Sequence, residues 1–550
     1  MTKRQIKELL ILIGLSYIYL MFGNGVLSLT NPDEVFYAQT AKEMIRHNTW
    51  MTPYLFDQPQ FEKPIFLYWF LRVSVMLFGD TSFAYRFAPA LFAILGAAAV
   101  YLLALIGFKN DRKAFISGLV LISSGFYIGL ARSVFTDMIF SVLILLALLA
   151  FYWGYAHPAR KGPGIILFFA SSGLAVLAKG PLGLLIPVAV VAVFLLIKKD
   201  LKFIICRHSL WGLLAFSAIA LPWYILMEVK YGASFNREFF YNDHFVRLIR
   251  AEHINYDNWH FYPLTMVGTV FPWSLYVLSG LFFLFRGIRR PGNDFRIFLA
   301  VWIVTVLLIF QFAHSKLTSY IFPLYPALIL AAADFIHNSV YGQNKGRLFY
   351  FSSLVVSAAI LLVPLALLVM SHLPRNAVYL SSRVPVYFLT GALLILGVAA
   401  LVFTLRRKFL AFTFTLASVL FVVLFGAGLV HEDVEPYVSS RDASKYLLEN
   451  YPVEGPIICS KFYLRGVRYY TGREVVTMDM PGTQFFSPHP VPFLNTPAKM
   501  REHLAKQPVN YGIIKRNNVE DFQSLSRGYY KFEVLKKIGN EYVIRVSPLS

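Results

Sequence analysis

The sequence predicts a polytopic α-helical membrane protein that ends in a small α/β domain. Of its 550 residues, 57% are hydrophobic and only 15% are charged, whereas roughly 25% of an ordinary soluble domain is charged. The mean hydropathy of +0.58 agrees with this composition. Apolar runs of membrane-spanning length recur up to residue 430, after which the chain becomes polar. These three observations exclude an ordinary soluble globular protein.

About 13 segments are long and apolar enough to cross the hydrocarbon, which takes roughly 20 residues of helix. We interpret the first segment as a retained span, because no small-residue cleavage site follows it. The predicted spans are residues 8–27, 83–107, 115–131, 134–154, 163–178, 180–197, 209–227, 261–285, 297–313, 317–337, 348–370, 385–405 and 409–430.

The placement of lysine and arginine predicts the orientation. If the N-terminus is cytoplasmic, seven short inside segments hold 21 of the 51 basic residues. Membrane proteins concentrate these residues on the cytoplasmic side. The net charge of +21 is therefore a topology signal, and no nucleic-acid partner is expected. Cys206 and Cys459 fall on opposite sides of the membrane, so no disulfide is expected.

An odd number of spans places the tail outside, and its pattern predicts a small α/β domain. The predicted domains are a transmembrane domain, residues 1–430, and an exterior domain, residues 431–550. The tail elements are strands at 456–460, 474–478 and 510–515, helices at 440–451 and 496–507, and a hairpin in 530–546.

Two exterior connections, 28–82 and 228–260, are long, polar and rich in aromatic residues. Tyr37, Ala41 and Met44 share one face at helical spacing, which predicts an amphipathic helix over 33–45 on the membrane surface. A second such helix is predicted to begin near Pro64, because proline is favoured at the first helical position.

The ionisable and phenolic residues at the edges of the spans fall largely on the exterior side. Charged groups at membrane depth usually line a cavity or pair with one another. The sequence therefore predicts one site at the outer membrane boundary. Its candidate residues are Asp33, Glu34, Glu62, Lys63, Arg132, Asp137, Lys179, Asp243, His244, Arg247, Lys316 and Tyr320.

Structural roles remain open for several of these groups. The first carboxylates also suit an ordinary helix start with Asn31 as its cap. Lys179 can extend to the interface, and Arg132 can pair with Asp137. Glu62 with Lys63 can form a weak surface ion pair, and His244 can simply donate or accept a hydrogen bond.

Several motifs occur together and in a defined order. They are NPDEVFYAQTAKEM (31–44), FEKPIFLYW (61–69), ARSVFTDMIF (131–140), LAKGPLGLLIPV (177–188), HFVRLIRAEH (244–253) with FPW (271–273), and SKLTSYIFPLYPAL (315–328). This set resembles the bacterial lipid A aminoarabinose transferase family. These are polyprenyl-phosphate-sugar-dependent glycosyltransferases of the GT-C type, related to protein O-mannosyltransferases. The resemblance implies a GT-C fold with exterior juxtamembrane helices and a periplasmic C-terminal domain.

The resemblance also implies roles for individual residues. Where the family has an arginine, this chain has Phe36, which bears on the sugar or acceptor it takes. A divalent metal ion, Zn, Mg or Mn, is the one cofactor implied, with no organic cofactor. The implied groups are catalytic Asp33, Asp137 and Glu34, donor-phosphate-binding Lys63, Arg247, Lys316 and Tyr320, substrate-binding Tyr37 and Arg132, and metal-binding Glu62 and His244.

The implied function is inverting transfer of a sugar, 4-amino-4-deoxy-L-arabinose, from undecaprenyl phosphate to lipid A. It would take place on the periplasmic face of the bacterial inner membrane, among membrane lipids. Cations suit the leaving phosphate of such a donor, and a carboxylate can orient or deprotonate the acceptor. Transfer of galacturonic acid or a hexose to lipopolysaccharide core or to protein is the alternative. A transporter is the alternative of another class, although transporters usually place ionisable residues near the bilayer midplane.

Overall fold

Helices account for most of the chain up to residue 429. The computed structural model describes residues 1–246, 258–288, 292–342, 346–372, 381–480, 491–526 and 529–549. Helices α1 to α10 are Lys3–Leu20, Asp33–Arg46, Phe66–Phe78, Ser82–Phe108, Asp111–Ile122, Gly125–Ala131, Thr136–Ala156, Lys161–Lys179, Leu182–Lys198 and Arg207–Tyr231. Helices α11 to α17 are Phe261–Gly268, Ser274–Gly287, Asp294–Gln311, Tyr325–Tyr341, Arg347–Ser371, Val384–Leu405 and Phe409–Leu429. A π-helix spans Asn236–Val246, and a 3₁₀-helix spans Thr318–Leu324.

The protein is a multi-pass membrane protein, although its spans differ from the thirteen predicted. Within the described residues, nine helices are long and apolar enough to cross a bilayer, or ten if the bent pair α5 and α6 forms one span. Helices α3, α9 and α12 are apolar but shorter. The predicted span 115–131 is two helices that meet at 65°, and the predicted span 261–285 is the separate helices α11 and α12.

The two broken segments are joined by hydrogen bonds between their backbones. The side chains of Ser123 and Ser124 donate to carbonyls one turn back, which weakens the helix at that point. The N–H of Gly125, where the chain resumes, donates to the carbonyl of Phe271 at 2.8 Å. Pro272 has no N–H to continue a helix there. Irregular backbone at membrane depth requires such protein partners, since lipid offers none.

Helices α7 and α8 lie unusually close and antiparallel. A Cβ added at Gly164 of α8 would lie 2.7 Å from the carbonyl oxygen of Ala150 in α7, so only glycine allows this approach. Because the helices are antiparallel, the start of α7 meets the end of α8. Asp137 and Lys179 therefore come to the same end of the bundle.

Helix α2 confirms the predicted helix over 33–45 to within a residue, and α3 confirms the helix predicted near Pro64. However, most of α2 is covered by other parts of the protein. Ten of its fourteen residues are buried, because it packs against both α3 and the C-terminal helix Leu464–Thr471.

The polar tail contains the predicted strands and helices to within a few residues. After α17 come helices His431–Val438, Arg441–Asn450, Leu464–Thr471, Pro497–Leu504 and Arg516–Ser526, which are α18 to α22. Strands β1 and β2, Tyr54–Leu55 and Gln58–Pro59, pair beside α2. Strands β3 to β8 are Ile457–Ser460, Val475–Met478, Phe493–Leu494, Asn510–Ile514, Tyr530–Ile538 and Glu541–Pro548. They form one sheet in the order β5-β4-β3-β6-β8-β7, parallel from β5 to β6 and antiparallel in the rest. Cys206 and Cys459 are both free, as expected.

The sheet domain is fastened to the α2 region by polar contacts. Arg468 Nη2 donates to Asp57 Oδ2 at 2.7 Å, and the hydroxyl of Tyr469 donates to Asp80 at 2.8 Å. Asn31 does not cap α2 as predicted. Its amide instead donates to the hydroxyl of Ser440 at 2.7 Å, because the C-terminal domain occupies the space in front of the helix.

A buried ion pair fixes the start of α2. Arg86 of α4 donates to both carboxylate oxygens of Glu34, through Nε at 2.8 Å and Nη2 at 2.6 Å. The carboxylate also accepts the N–H of Thr30 and the N–H of Val134, both at 3.0 Å. Burial alone would raise the pKa of Glu34, but the Arg86 charge and the hydrogen bonds hold that pKa below its usual range.

A buried carboxyl group lies at the junction of the two domains. Glu541 of β8 is 2% exposed and accepts the hydroxyl of Ser440 at 2.5 Å, which in turn accepts from Asn31. Burial disfavours its charged form and raises the pKa of Glu541 to about 8, although the Ser440 hydrogen bond opposes the shift. Glu541 is therefore largely protonated at neutral pH.

We expect Glu34→Gln to unfold the protein more readily, because it leaves the Arg86 guanidinium buried without its carboxylate. Breaking one partner of a buried pair costs about 3–5 kcal/mol. The unfolding temperature of the detergent-purified protein measures this. Glu8→Gln is the matched control, because Glu8 pairs with an exposed arginine, Arg4, and such a pair contributes about 0–1 kcal/mol. A Glu34→Gln protein of normal stability would contradict the structural role.

We expect Glu541→Gln to change how stability depends on pH. The folded-state pKa of Glu541 lies above the unfolded value of 4.5. Its stabilising effect is therefore complete below about pH 4.5 and is lost as pH rises toward about 8, by at most about 1.4 kcal/mol per pH unit. The variant should match the wild type at pH 5 and exceed its unfolding temperature at pH 9. Glu533→Gln, at an exposed residue of β7, is the control; parallel profiles for wild type and Glu541→Gln would refute the buried acid.

Candidate active site

An ion pair joins α7 and α8 at the end of the bundle nearest α2. Asp137, in the first turn of α7, is 7% exposed and accepts from Lys179 Nζ at 2.5 Å. Lys179 is the last residue of α8. The structure thus corrects two of the open readings: Arg132 is not the partner of Asp137, and Lys179 does not simply extend to the interface. The close packing of α7 on α8 is the reason.

Tyr37 connects this pair to the start of α2. Its side chain is 5% exposed, and burial raises the pKa of the Tyr37 phenol well above its usual value, reinforced by the charges of Asp137 and Asp33. Both carboxylates are therefore within electrostatic range of one hydroxyl. Asp33 is the first residue of α2 and is exposed, in contrast to Glu34 beside it. The phenol stays protonated and can donate to an anionic or polar ligand.

The predicted cationic set is only partly connected to these acids. The ammonium of Lys179 lies 5.1 Å from the ring centroid of Tyr320, so Lys179 joins a predicted acid to a predicted phosphate-binding residue. Lys316 is 4% exposed and donates to the carbonyl of Asn258 at 3.4 Å. Lys63 donates to the backbone carbonyl of Glu62 at 2.9 Å.

Four other candidates have structural positions or lie outside the described part of the chain. Arg132 donates to the carbonyls of Tyr19 and Phe22 and so anchors the end of α1. Glu34 is held by Arg86 and points away from the exposed face of α2. Arg247 and the side chain of His244 lie outside the described residues, so their predicted roles stay predictions.

The predicted metal pair receives no support from the described side chains. The carboxylate of Glu62 faces Arg465 Nη2 at 3.9 Å, and a guanidinium opposes a divalent cation electrostatically. Among the residues that the structure describes, no three histidine, cysteine or acidic side chains converge as metal ligands. The side chain of His244 lies outside the described residues, so the predicted metal site stays a prediction, and no step below uses a metal ion.

Sequence reasoning missed one functional candidate, Arg465 of α20. Its guanidinium lies 4.5 Å from the ring of Phe36, so a guanidinium does contact the position where the resembling family has an arginine. It comes from the far end of the chain and so has no local signal. The ion pair between Lys179 and Asp137 did have a local signal. Two antiparallel neighbouring helices joined by the short connection 157–160 must bring residues 137 and 179 to the same end.

The arrangement suits chemistry on a charged, membrane-bound substrate. The exposed carboxylate of Asp33 and the carboxylate of Asp137, which pairs with Lys179, are both within electrostatic range of the protonated phenol of Tyr37. An ammonium can stabilise negative charge that develops on a leaving group. A carboxylate can orient an acceptor or stabilise a developing positive charge. The site therefore has both electrostatic signs that a transfer from a phosphate ester requires.

The first part of the chain matches a known family. Residues 6–235 match the model described as dolichyl-phosphate-mannose-protein mannosyltransferase. This range contains Asp33, Tyr37, Glu62, Asp137 and Lys179. The match thus covers the acids of the site and the lysine that joins them to Tyr320.

Two curated relatives share the name undecaprenyl phosphate-alpha-4-amino-4-deoxy-L-arabinose arabinosyl transferase. The protein from Photorhabdus laumondii is 29% identical over 369 residues, which is 66% of this chain and 65% of that one. The protein from Aeromonas salmonicida is 31% identical over 363 residues, 64% of each chain. The matched region therefore spans just under two thirds of these relatives.

The fold has a close counterpart over nearly the full length. The crystal structure of ArnT from Cupriavidus metallidurans bound to undecaprenyl phosphate matches with a TM-score of 0.78, covering 98% of this chain and 97% of that chain at 20% identity. Residues 6–235 are therefore similar to the dolichyl-phosphate-mannose-protein mannosyltransferase family, and the chain as a whole has the fold of the ArnT structure.

Proposed function

We propose that this protein is an inverting glycosyltransferase that moves 4-amino-4-deoxy-L-arabinose from undecaprenyl phosphate to lipid A. The observation that carries the proposal is that Asp33 and Asp137 are both within electrostatic range of Tyr37, and that Asp137 pairs with Lys179. The names of the two curated relatives support the sugar and the donor. The basic inside segments support a cytoplasmic N-terminus, and so a site on the periplasmic face of the inner membrane.

The donor side of the reaction requires positive charge. The bond between the sugar carbon and the phosphate oxygen breaks, both electrons remain on the phosphate, and the acceptor oxygen bonds to the sugar carbon from the opposite face. Lys179, beside the Tyr320 ring, is placed to stabilise the leaving phosphate. Lys63, Lys316 and Arg247 complete the proposed phosphate-binding set.

Asp137 has two roles in this proposal. Its carboxylate holds the ammonium of Lys179 at 2.5 Å, which fixes the cation where the phosphate leaves. The same negative charge stabilises the positive charge that develops on the sugar carbon. Since Asp137 is buried where α7 begins and Lys179 is half-buried, the surrounding helices limit the screening of either interaction by water.

Asp33 serves the acceptor. It is exposed and begins α2, so an acceptor approaching from outside the bundle meets it first. A phosphate acceptor is largely ionised near neutral pH, with a second pKa of about 6, and therefore needs orientation more than deprotonation. A divalent metal ion at Glu62 and His244 is a separate proposal on which no step here depends.

A transporter is disfavoured by where the charges lie. Asp137 is in the first turn of its helix and Lys179 is the last residue of its own. Neither is near the middle of a span, where transporter sites are usually built.

We expect Asp33→Asn to abolish modification of lipid A while the protein remains folded. Mass spectrometry of lipid A compares cells that lack the gene with cells that express the wild type or a variant. Asp111→Asn is the matched control, because Asp111 is likewise the first residue of a helix but lies on the predicted cytoplasmic side. No added aminopentose with the wild type would overturn the proposed function. Full addition with Asp33→Asn would remove Asp33 alone from the reaction.

We expect Asp137→Asn to lower kcat for transfer from purified donor lipid by a hundredfold or more, corresponding to about 3–4 kcal/mol. It also leaves the half-buried Lys179 without its carboxylate, so some stability is lost. Asp137→Asn combined with Lys179→Met should recover the unfolding temperature but not the activity. If activity returned with stability, the pair would have a structural role only.

A further inference from the structure

A crevice in the C-terminal domain opens beside the start of α2. It has a volume of about 360 Å³. Pro32 forms its wall on the α2 side, one residue before Asp33. The remaining lining residues all come from the sheet domain; they are Ser460, Lys461, Phe462, Arg465, Asp479, Lys515 and Asn518.

The crevice lies where an α/β sheet characteristically binds ligands. Strand β3 has β4 on one side and β6 on the other, both parallel to it. The chain leaves β3 toward β4 and β5 and then returns to the opposite side as β6. Ser460 ends β3, Asp479 follows β4, and Lys515 follows β6. In open α/β sheets, ligands bind outside the carboxyl ends of the strands at such a reversal.

The side chains of the crevice favour an anion. Lys461, Arg465 and Lys515 contribute three positive charges against one negative charge from Asp479. Its base is polar and organised, since Ser460 Oγ accepts the N–H of Lys515 at 2.8 Å and donates to Asn518 at 2.5 Å. Lysine and arginine around a polar floor are the usual means of binding a phosphate.

Arg465 connects the crevice to the proposed active site. It lines the crevice, yet its guanidinium also faces Glu62 at 3.9 Å and lies over Phe36. The next residue, Gly466, packs so closely on α2 that an added Cβ would lie 2.0 Å from Asn31 Oδ1. The domain is therefore seated directly against the helix that begins with Asp33.

We propose that this crevice binds a phosphate group of the acceptor glycolipid and so holds the acceptor beside Asp33. The ligand class is a phosphorylated hexosamine headgroup. The identity of the acceptor rests on the proposed function, whereas phosphate binding by the crevice does not. The donor's phosphate belongs instead with Lys179 and Tyr320, at the junction of α7 and α8. The two substrates therefore reach Asp33 from different sides.

The test measures binding of glucosamine 1-phosphate to the full chain in detergent by calorimetry. We expect Lys515→Gln and Lys461→Gln each to weaken binding, and the double variant to weaken it by tenfold or more. Lys515 is exposed and Lys461 is half-buried, so both variants should keep the wild-type unfolding temperature. Lys445→Gln is the matched control, because Lys445 is an exposed lysine of the same domain paired with Glu449, and its binding should be unchanged.

Undecaprenyl phosphate is added as competitor to separate the two sources of phosphate. We expect it to leave glucosamine 1-phosphate bound. Displacement by undecaprenyl phosphate, equal binding by the double variant, or no binding by the wild type would each overturn the proposal. Lysine-dependent binding with no transfer to lipid A would support phosphate binding by the crevice and contradict the proposed function. Transfer to lipid A without such binding would support the proposed function and contradict phosphate binding by the crevice.

Discussion

The Glu34–Arg86 ion pair determines where the two acids of the proposed site lie. Its carboxylate accepts N–H groups on both sides of the site: Thr30, just before α2, and Val134, just before α7. Arg86 also donates to the carbonyls of Leu27 and Ser28 in the preceding connection. Asp33 and Asp137 follow these anchored segments within three residues each. A buried pair is seldom a net source of stability, but here it sets the separation of two carboxylates that are far apart in the chain.

The adjacent acids Asp33 and Glu34 show how burial divides roles between similar side chains. Successive residues on a helix point about 100° apart, so the first turn of α2 can direct one carboxylate inward and its neighbour outward. Glu34 meets a guanidinium in the interior and is fully used in holding structure. Asp33 stays on the exposed side of the helix. Sequence alone shows two carboxylates at a helix start and cannot assign them different roles, because Arg86, the partner of Glu34, is 52 residues away.

Local patterns predicted those parts of the fold that depend on local sequence. Helix α2, the start of α3 and the strands of the C-terminal sheet follow from periodicity and turn residues, and the structure has them within a few residues. The number of spans did not follow. Residues 115–131 and 261–285 are apolar enough to cross a bilayer, yet both are broken because each supplies hydrogen-bond partners to the other. These hydrogen bonds depend on the tertiary structure, so hydropathy does not predict them.

The same limit applies to the site. Its acids and Lys179 lie in motifs, so the sequence could name them, although it left open a pair between Asp137 and Arg132 in place of the observed pair with Lys179. Arg465, Lys461 and Lys515 could not be named, because they lie in an ordinary-looking soluble tail and become relevant only when α20 packs on α2. The family match ends at residue 235, whereas these three cations lie beyond residue 460. If the crevice binds the phosphate of the acceptor, the C-terminal domain takes part in selecting the acceptor. A change of acceptor would then require changes around the crevice and not around Asp137 and Lys179.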